Sequence, residues 1–332
     1  MDEKVKILVT GATGFTGGEV LKYLSRYYSK DQLTGTGRNR QKARILEAGG
    51  FKMVCGNLDD EKFVKSNFSD ITHIVHCAAK SDLWGSYDSF YKSNVIATKN
   101  IISIEGLKHI IYISTPSIYF DFKNRLDIKE SDPLPAKFVN YYSQTKYLGE
   151  LLIQEIIDKN IKRHIFRPRA IIGAGDETLM PRLLRAYNEN RLKIIGDGKN
   201  IGDFTSVKNL AHIIYLTLQK KEQTSQIVFN VTDDNPVKLW DFINESLEKL
   251  GLKTVKRKVP YPVAFSVAAL NEWYNKTFSK KEPVLTKYGV GVLNYSLTLN
   301  IDAAKRYLNY KPVITSGESI DEFVEWRKTQ NS

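Results

Sequence analysis

The sequence predicts an α/β protein whose main body is a doubly wound parallel sheet, with a smaller α/β lobe interleaved into it. Three observations carry this reading. Short β-rich runs alternate with segments of helical length through the first half of the chain. A Gly-rich turn follows the first run directly and opens the first helix. After Arg167-Pro168 the alternation gives way to loops rich in Gly and Asn, where a second lobe should enter. With 332 residues, 42% of them apolar and 26% charged, the chain can bury a sizeable core, and at ~150 residues per domain it has length for about two.

In chain order, residues 4–9 form a β-rich run, 15–28 suit a helix, 32–36 are short and apolar-polar, and 41–48 again suit a helix. Strand and helix then alternate through 51–55, 61–68, 73–77, 87–104, 109–114, 141–158 and 161–166. Such alternation is the pattern of parallel βαβ units. Beyond it lie a Gly- and Asn-rich loop at 195–200, a helix near 207–218 and a strand near 227–231. Helical periodicity returns at 239–250, 263–274, 301–308 and 319–327, with no internal repeat.

Composition removes several classes. The only cysteines are Cys55 and Cys77, and no leader pattern opens the sequence, so a reducing cytoplasm is expected. Uncharged runs such as 259–271 and 288–301 are shorter than the roughly 20 apolar residues a bilayer span needs. The net charge of +12 is concentrated: residues 253–287 hold eight basic and two acidic side chains, half of the excess. Elsewhere the charges are mixed, so nucleic acid is not an expected partner. None of the five histidines stands at a metal-ligand spacing from Cys, Asp or Glu, and no metal is expected.

The Gly-rich turn reads Thr10-Gly-Ala-Thr-Gly-Phe-Thr-Gly17. Its glycines Gly11, Gly14 and Gly17 would let the backbone approach a pyrophosphate, and the helix N-terminus behind them would meet the charge, with Thr13, Phe15 and Thr16 alongside. This is the dinucleotide-binding turn of a Rossmann sheet. The acid that usually holds a free ribose 2′-hydroxyl at the end of the second strand is missing; Arg38 and Arg40 stand there instead. Guanidinium forks suit a 2′-phosphate, so NADP(H) is preferred and NAD(H) stays possible. On this basis residues 1–175 and about 200–232 form the dinucleotide domain, and about 176–199 and 233–332 the substrate lobe.

Tyr142 and Lys146 lie four apart in a helical segment, so their side chains leave one face a turn apart. An ammonium beside a phenol favours the phenolate and brings Tyr toward acid/base strength. Just upstream, Ser114 and Thr115 end a predicted parallel strand, where open α/β sheets bind ligands. Either hydroxyl could hold a substrate oxygen while Tyr142 exchanges its proton.

These residues, with His76-Cys-Ala-Ala79 and Asn94-Val95, resemble the extended short-chain dehydrogenase/reductase superfamily, the NAD-dependent epimerase/dehydratase type, over nearly the whole chain. The resemblance implies that Tyr142 is the acid/base, Lys146 the residue that lowers its pKa and holds the nicotinamide ribose, and Thr115 the substrate-orienting hydroxyl, with Ser117 as second choice. Asn57-Leu58 occupies the family's Asp-Leu site beside the adenine; Asn57 can still accept the hydrogen bond, without charge assistance. Ala78, Ala79 and Lys80 should run along the cofactor. The run from His76 to Tyr87, the Ser-Thr-Pro-Ser117 segment and the stretches 167–176 and 180–184 are similar to the 3β-hydroxysteroid dehydrogenase group, especially sterol-4α-carboxylate 3-dehydrogenases and 2-alkyl-3-oxoalkanoate reductases. Arg169 stands where that group often has His.

The resemblance implies an oxidoreductase that interconverts a ketone and a secondary alcohol on an apolar, β-keto-acid-like or sterol-like substrate. Arg169 and Arg182 are candidates for a carboxylate, and Trp84 and Tyr87 for the pocket wall. A nucleotide-sugar epimerase or dehydratase shares the same pattern, and a non-catalytic NADP-binding redox sensor is a third reading. The apolar stretch 260–274, flanked by Lys256, Arg257, Lys258, Lys276, Lys280 and Lys281, suits either a substrate-lobe helix with a solvated basic rim or a peripheral membrane contact. Segments 87–104 and 141–158 are the expected faces of a homodimer, by analogy with relatives.

Overall fold

A computed structural model of the chain describes residues 5–158, 160–279 and 282–331. Five strands open it: β1 (Ile7–Thr10), β2 (Leu33–Gly37), β3 (Lys52–Cys55), β4 (His73–His76) and β5 (His109–Ile113). With the strands Lys162–Pro168 and Val228–Val231 they build a seven-stranded sheet in the order Val228–Val231, Lys162–Pro168, β5, β4, β1, β2, β3, every pair parallel. Ile7 pairs with both Leu33 and His73, so β1 lies where the strand order reverses, and a crevice opens at the carboxyl ends beside it.

Helices cover both faces, which is why β1 is apolar without polar alternation. Ile7 and Val9 enter a core with the helices Phe15–Leu24 and Val207–Leu218, while Leu8 enters the opposite core with Val64, Ile101 and Ile153. The segment expected as one helix over 87–104 is broken in the middle: Tyr87–Tyr91 and Ala97–Ile102 are α-helical and Lys92–Ile96 is a π turn. Asn94 sits in that turn, and wide turns of this kind mark functional sites.

The smaller lobe has a four-stranded sheet in the order Val237–Lys238, Ile201–Gly202, Leu297–Leu299, Arg125–Ile128. Its own core gathers Met180, Leu184, Phe204, Trp240, Phe242 and Phe323. Residues 301–310, grouped with this lobe from the sequence, return to the large sheet: Ile301, Ala304, Leu308 and Tyr310 join the β1 core. A short amphipathic helix carries no mark of which core will receive it, so sequence alone misplaces this one.

A buried ion pair starts a polar chain that reaches from the large sheet to the second one. Arg167, on strand Lys162–Pro168, donates through Nε to Glu150 Oε1 (2.9 Å) and through Nη2 to Oε2 (2.5 Å), with both side chains almost wholly buried. Its Nη1 donates to Tyr119 Oη, Tyr119 donates to Asn230 Oδ1 (3.1 Å), and Asn230 Nδ2 donates to the carbonyls of Ile128 (2.8 Å) and Asn300 (3.2 Å). Helix Tyr141–Gln154, two sheet strands and the second sheet are thus joined through one guanidinium. Removing one partner strands a buried charge, so Glu150→Ala should lose about 3–5 kcal/mol of stability, seen as a lower urea midpoint.

Candidate active site

The turn after β1 is built on backbone contact. Gly11 has φ +68°, and a Cβ there would lie 2.9 Å from the Ala78 nitrogen; a Cβ on Gly17 would lie 2.4 Å from the Gly11 carbonyl oxygen. Any side chain would force β1 and β4 apart or open the turn. The Gly14 N–H donates to Gly11 O (2.9 Å), and helix Phe15–Leu24 starts with no side-chain cap, as an anion site at a helix N-terminus requires. The residues therefore fit a dinucleotide pyrophosphate.

His76 anchors the floor. Ala78 N donates to Thr10 Oγ1 (3.0 Å), Thr10 Oγ1 meets His76 Nδ1 (2.7 Å), His76 Nε2 meets Thr98 Oγ1 (3.1 Å), and Thr98 donates to Asn94 O (2.7 Å). Because each end of this chain is fixed, Thr10 donates to Nδ1 and the proton lies on Nε2. Burial, with Lys146 nearby, holds the imidazole neutral by taking its pKa down to about 3.

One cleft of about 790 Å³ runs from this turn into the second lobe. Gly11, Thr13, Gly14, Phe15, Thr16, Gly17, Arg38, Asn57, Leu58, Ala78 and Ala79 line one end, and Thr115, Ser117, Tyr142, Lys146, Arg169 and Arg182 the other. Four expected residues stand apart from its wall. Lys80 turns to Asp82 (2.6 Å) and lies over the Phe90 ring (5.3 Å), while Asn94 clamps its backbone by accepting from Lys80 N (2.7 Å) and donating to Lys80 O (3.1 Å). Tyr87 packs on the rings of Tyr91 and Tyr141 (5.6 and 5.5 Å), and Arg40 starts an exposed helix. Trp84 is partly buried elsewhere; Ser81 and Leu83 of the same loop face the cleft.

Asn140 caps helix Tyr141–Gln154 by accepting from Ser143 N (2.8 Å), which sets Tyr142 and Lys146 toward the end of β5. The expected lowering of the Tyr142 pKa by Lys146 is reversed. Burial pushes the phenol up to about 12, and only its hydrogen bond with Thr115 pulls the other way. Lys146 instead places its Nζ 3.9 Å above the Tyr112 ring, and burial takes it down to about 7 against the opposing pull of Glu150 and Cys77. In this arrangement Lys146 lies against the Tyr112 ring, close to the midpoint of its titration at neutral pH, while Tyr142 stays protonated there.

Tyr288 was not visible as a site residue. Its hydroxyl meets Ser117 Oγ (2.7 Å), Thr115 Oγ1 donates to the same Oγ (3.0 Å), and its ring lines the cleft. It sits on helix Lys287–Asn294, whose two glycines hide the helical signal. Gly291 is there because Phe120 and Phe122 would meet a Cβ at 2.9 Å. Arg169, nearly buried, also faces the cleft, and among the described residues its Nε has no hydrogen-bond partner. Burial lowers its pKa while Tyr288 and Asp203 oppose the shift. Asp203 receives Leu299 N (2.6 Å) and is raised by burial to about 6.

The profile of the NAD dependent epimerase/dehydratase family matches residues 7–232. The chain belongs to that family. It is 29% identical to a 2-alkyl-3-oxoalkanoate reductase of Shewanella oneidensis, over 94% of this chain and 84% of that one. It is 30% identical to 3beta-hydroxysteroid-dehydrogenase/decarboxylase isoform 1 of Arabidopsis thaliana, over 96% and 78%. In fold it is similar to UDP-glucuronic acid 4-epimerase from Bacillus cereus in complex with NAD, with TM-score 0.75, 20% identity and coverage of 99% and 100%. These relatives are named as a reductase and a dehydrogenase, and the family to which this chain belongs is NAD-dependent. Gly17→Ala should weaken dinucleotide binding by about tenfold or more, because the turn must open; fluorescence titration with NADPH reads this directly.

Proposed function

We propose that this family member interconverts a ketone and a secondary alcohol on an apolar substrate that carries a carboxylate one carbon from the carbonyl, with NADP(H) preferred. The observation that carries the reading is Arg169: a cation whose Nε is buried without a hydrogen-bond partner among the described residues, on a cleft whose lobe wall joins Met180, Leu183, Phe204, Phe242 and Leu293 with Asn200, Asp203 and Ser246. A nearly buried guanidinium is stabilised by nearby anions; Asp203 supplies one, and the fork can take a substrate carboxylate bidentately as a second. The names of the bacterial and plant relatives support the same substrate chemistry.

The dinucleotide, when bound, supplies or accepts the hydride. The residues do the rest. Thr115 and Tyr142 present hydroxyls at the strand end; Thr115 donates to Ser117, which also meets Tyr288, so Tyr142 is the donor left for a substrate carbonyl oxygen there. Since Tyr142 is protonated across neutral pH, it is set to donate to the oxygen of a ketone being reduced. Lys146, in its protonated form, adds positive charge to the same end of the cleft, where it would stabilise negative charge developing on that oxygen. Arg169 would hold the adjacent carboxylate and so fix which face of the carbonyl is presented.

NADPH consumption with 2-alkyl-3-keto acids, 3-ketosteroids and nucleotide sugars tests the reading. Turnover is expected with the keto acids, and Tyr142→Phe should reduce kcat by about 10²–10⁴. Isomerisation of a nucleotide sugar without net cofactor change would replace this reading with an epimerase. Arg169→Gln should raise KM about tenfold or more for carboxylated ketones and leave the matching methyl ketones nearly unchanged, as loss of a charged hydrogen bond predicts. Arg38 lines the cleft beside Gly37 and Asn39, at the end of β2. Arg38→Asp should shift kcat/KM from NADPH toward NADH by about tenfold or more.

A further inference from the structure

The helix Tyr261–Tyr274 turns its apolar side outward. Only Ala264 and Ala268 are buried, against the core of the second lobe. Val263, Val267, Leu270 and Tyr274 follow one another at i, i+4, i+7 and i+11, which places them in one stripe on the side away from those alanines. Trp273 and Phe278 widen the stripe and pack edge to face (5.7 Å). All six side chains are 50–66% exposed. A contiguous apolar face of this kind on a water-facing helix marks an interaction surface.

Its rim is basic. Lys256, Arg257 and Lys258 stand exposed before the helix and Lys276 after it; Lys280 and Lys281 lie outside the described residues. The helix's acid, Glu272, is occupied: it accepts from Lys287 N (2.7 Å) and meets Lys287 Nζ (3.4 Å).

We propose that this face docks on an anionic lipid bilayer, with the helix lying in the plane of the headgroups. An anionic surface answers both halves of the patch: the acyl boundary takes Val263, Val267 and Leu270, the interface takes Trp273 and Tyr274, and the headgroup charge meets the cations. A second copy of the chain answers only one half, because a two-fold contact would set the basic rim against itself. The face also lies close behind the catalytic cleft. Helix Lys287–Asn294 packs directly on the docking helix and gives Tyr288, Val292 and Leu293 to the cleft wall, and the Tyr261 ring meets Tyr295 of the same wall at 5.1 Å. That an apolar substrate enters from the bilayer rests on the proposed function; the docking does not, and it is read without turnover.

The test is co-sedimentation of the full chain with vesicles of phosphatidylcholine alone and of phosphatidylcholine mixed with phosphatidylglycerol, together with light scattering of the protein alone. Binding to the anionic vesicles, falling with salt, is expected. The double variant Leu270→Ser/Trp273→Ser should reduce it by about tenfold, and Lys256→Gln/Lys258→Gln should weaken it and flatten its salt dependence. NADPH titration of each variant reports that the fold is kept. Wild-type protein left in the supernatant with anionic vesicles would overturn the proposal. So would vesicle binding that survives the Leu270/Trp273 change, or a solution dimer that this change dissociates, which would assign the face to a second copy.

Discussion

The bidentate pair of Arg167 and Glu150 is the interaction on which the cleft depends, because it holds helix Tyr141–Gln154, which carries Tyr142 and Lys146, to the sheet. Glu150 is one turn beyond Lys146, so the carboxylate that locks the helix also opposes the loss of the lysine's charge. Through Tyr119 and Asn230 the same guanidinium reaches the backbone at Ile128 and Asn300, which flank the second sheet. Position of the helix, charge of the lysine and placement of the lobe against the sheet are therefore not independent. Breaking one side of the pair would leave a charge with no solvent to receive it.

Burial, more than pairing, sets the chemistry of the cleft. It keeps His76 neutral, so this ring can serve as a hydrogen-bonded strut between Thr10 and Thr98 without repelling the lysine beside it. It raises Tyr142 and lowers Lys146, giving a site that holds a protonated phenol and an amine poised between its charged and neutral forms at neutral pH. Spacing along a helix suggested that the ammonium would act on the phenol directly. The fold instead offers the ammonium the face of Tyr112, and leaves Thr115 as the group that acts on the phenol.

Much of this was legible residue by residue. The turn from Gly11 to Gly17, the helix that follows and the Tyr142–Lys146 pair depend on contacts a few residues apart, so spacing announces them. Lys80 and Trp84 show the limit: both lie in a loop that borders the cofactor end, yet which side chain of a loop faces a cleft is decided by partners such as Asp82 and Phe90. Tyr288 shows it from the other side. Its helix carries Gly289 and Gly291, poor helix formers, and the reason for Gly291 is the pair Phe120 and Phe122 more than 160 positions away.

Local pattern alone sets the parallel sheet, the dinucleotide turn, the one-turn spacing of Tyr142 and Lys146 and the apolar, basic-rimmed segment, because each is a matter of glycine, period or charge. Only the tertiary structure decided what faces the reacting oxygen and what stands behind it. Arg169, Asp203 and Tyr288 are brought to one cleft with Thr115 and Tyr142 by the closure of a second core against the first. Whether the outer stripe of helix Tyr261–Tyr274 is covered was likewise a matter of packing. Ala264 and Ala268 fill the inner side, so Val263, Val267 and Leu270 are left to the surface.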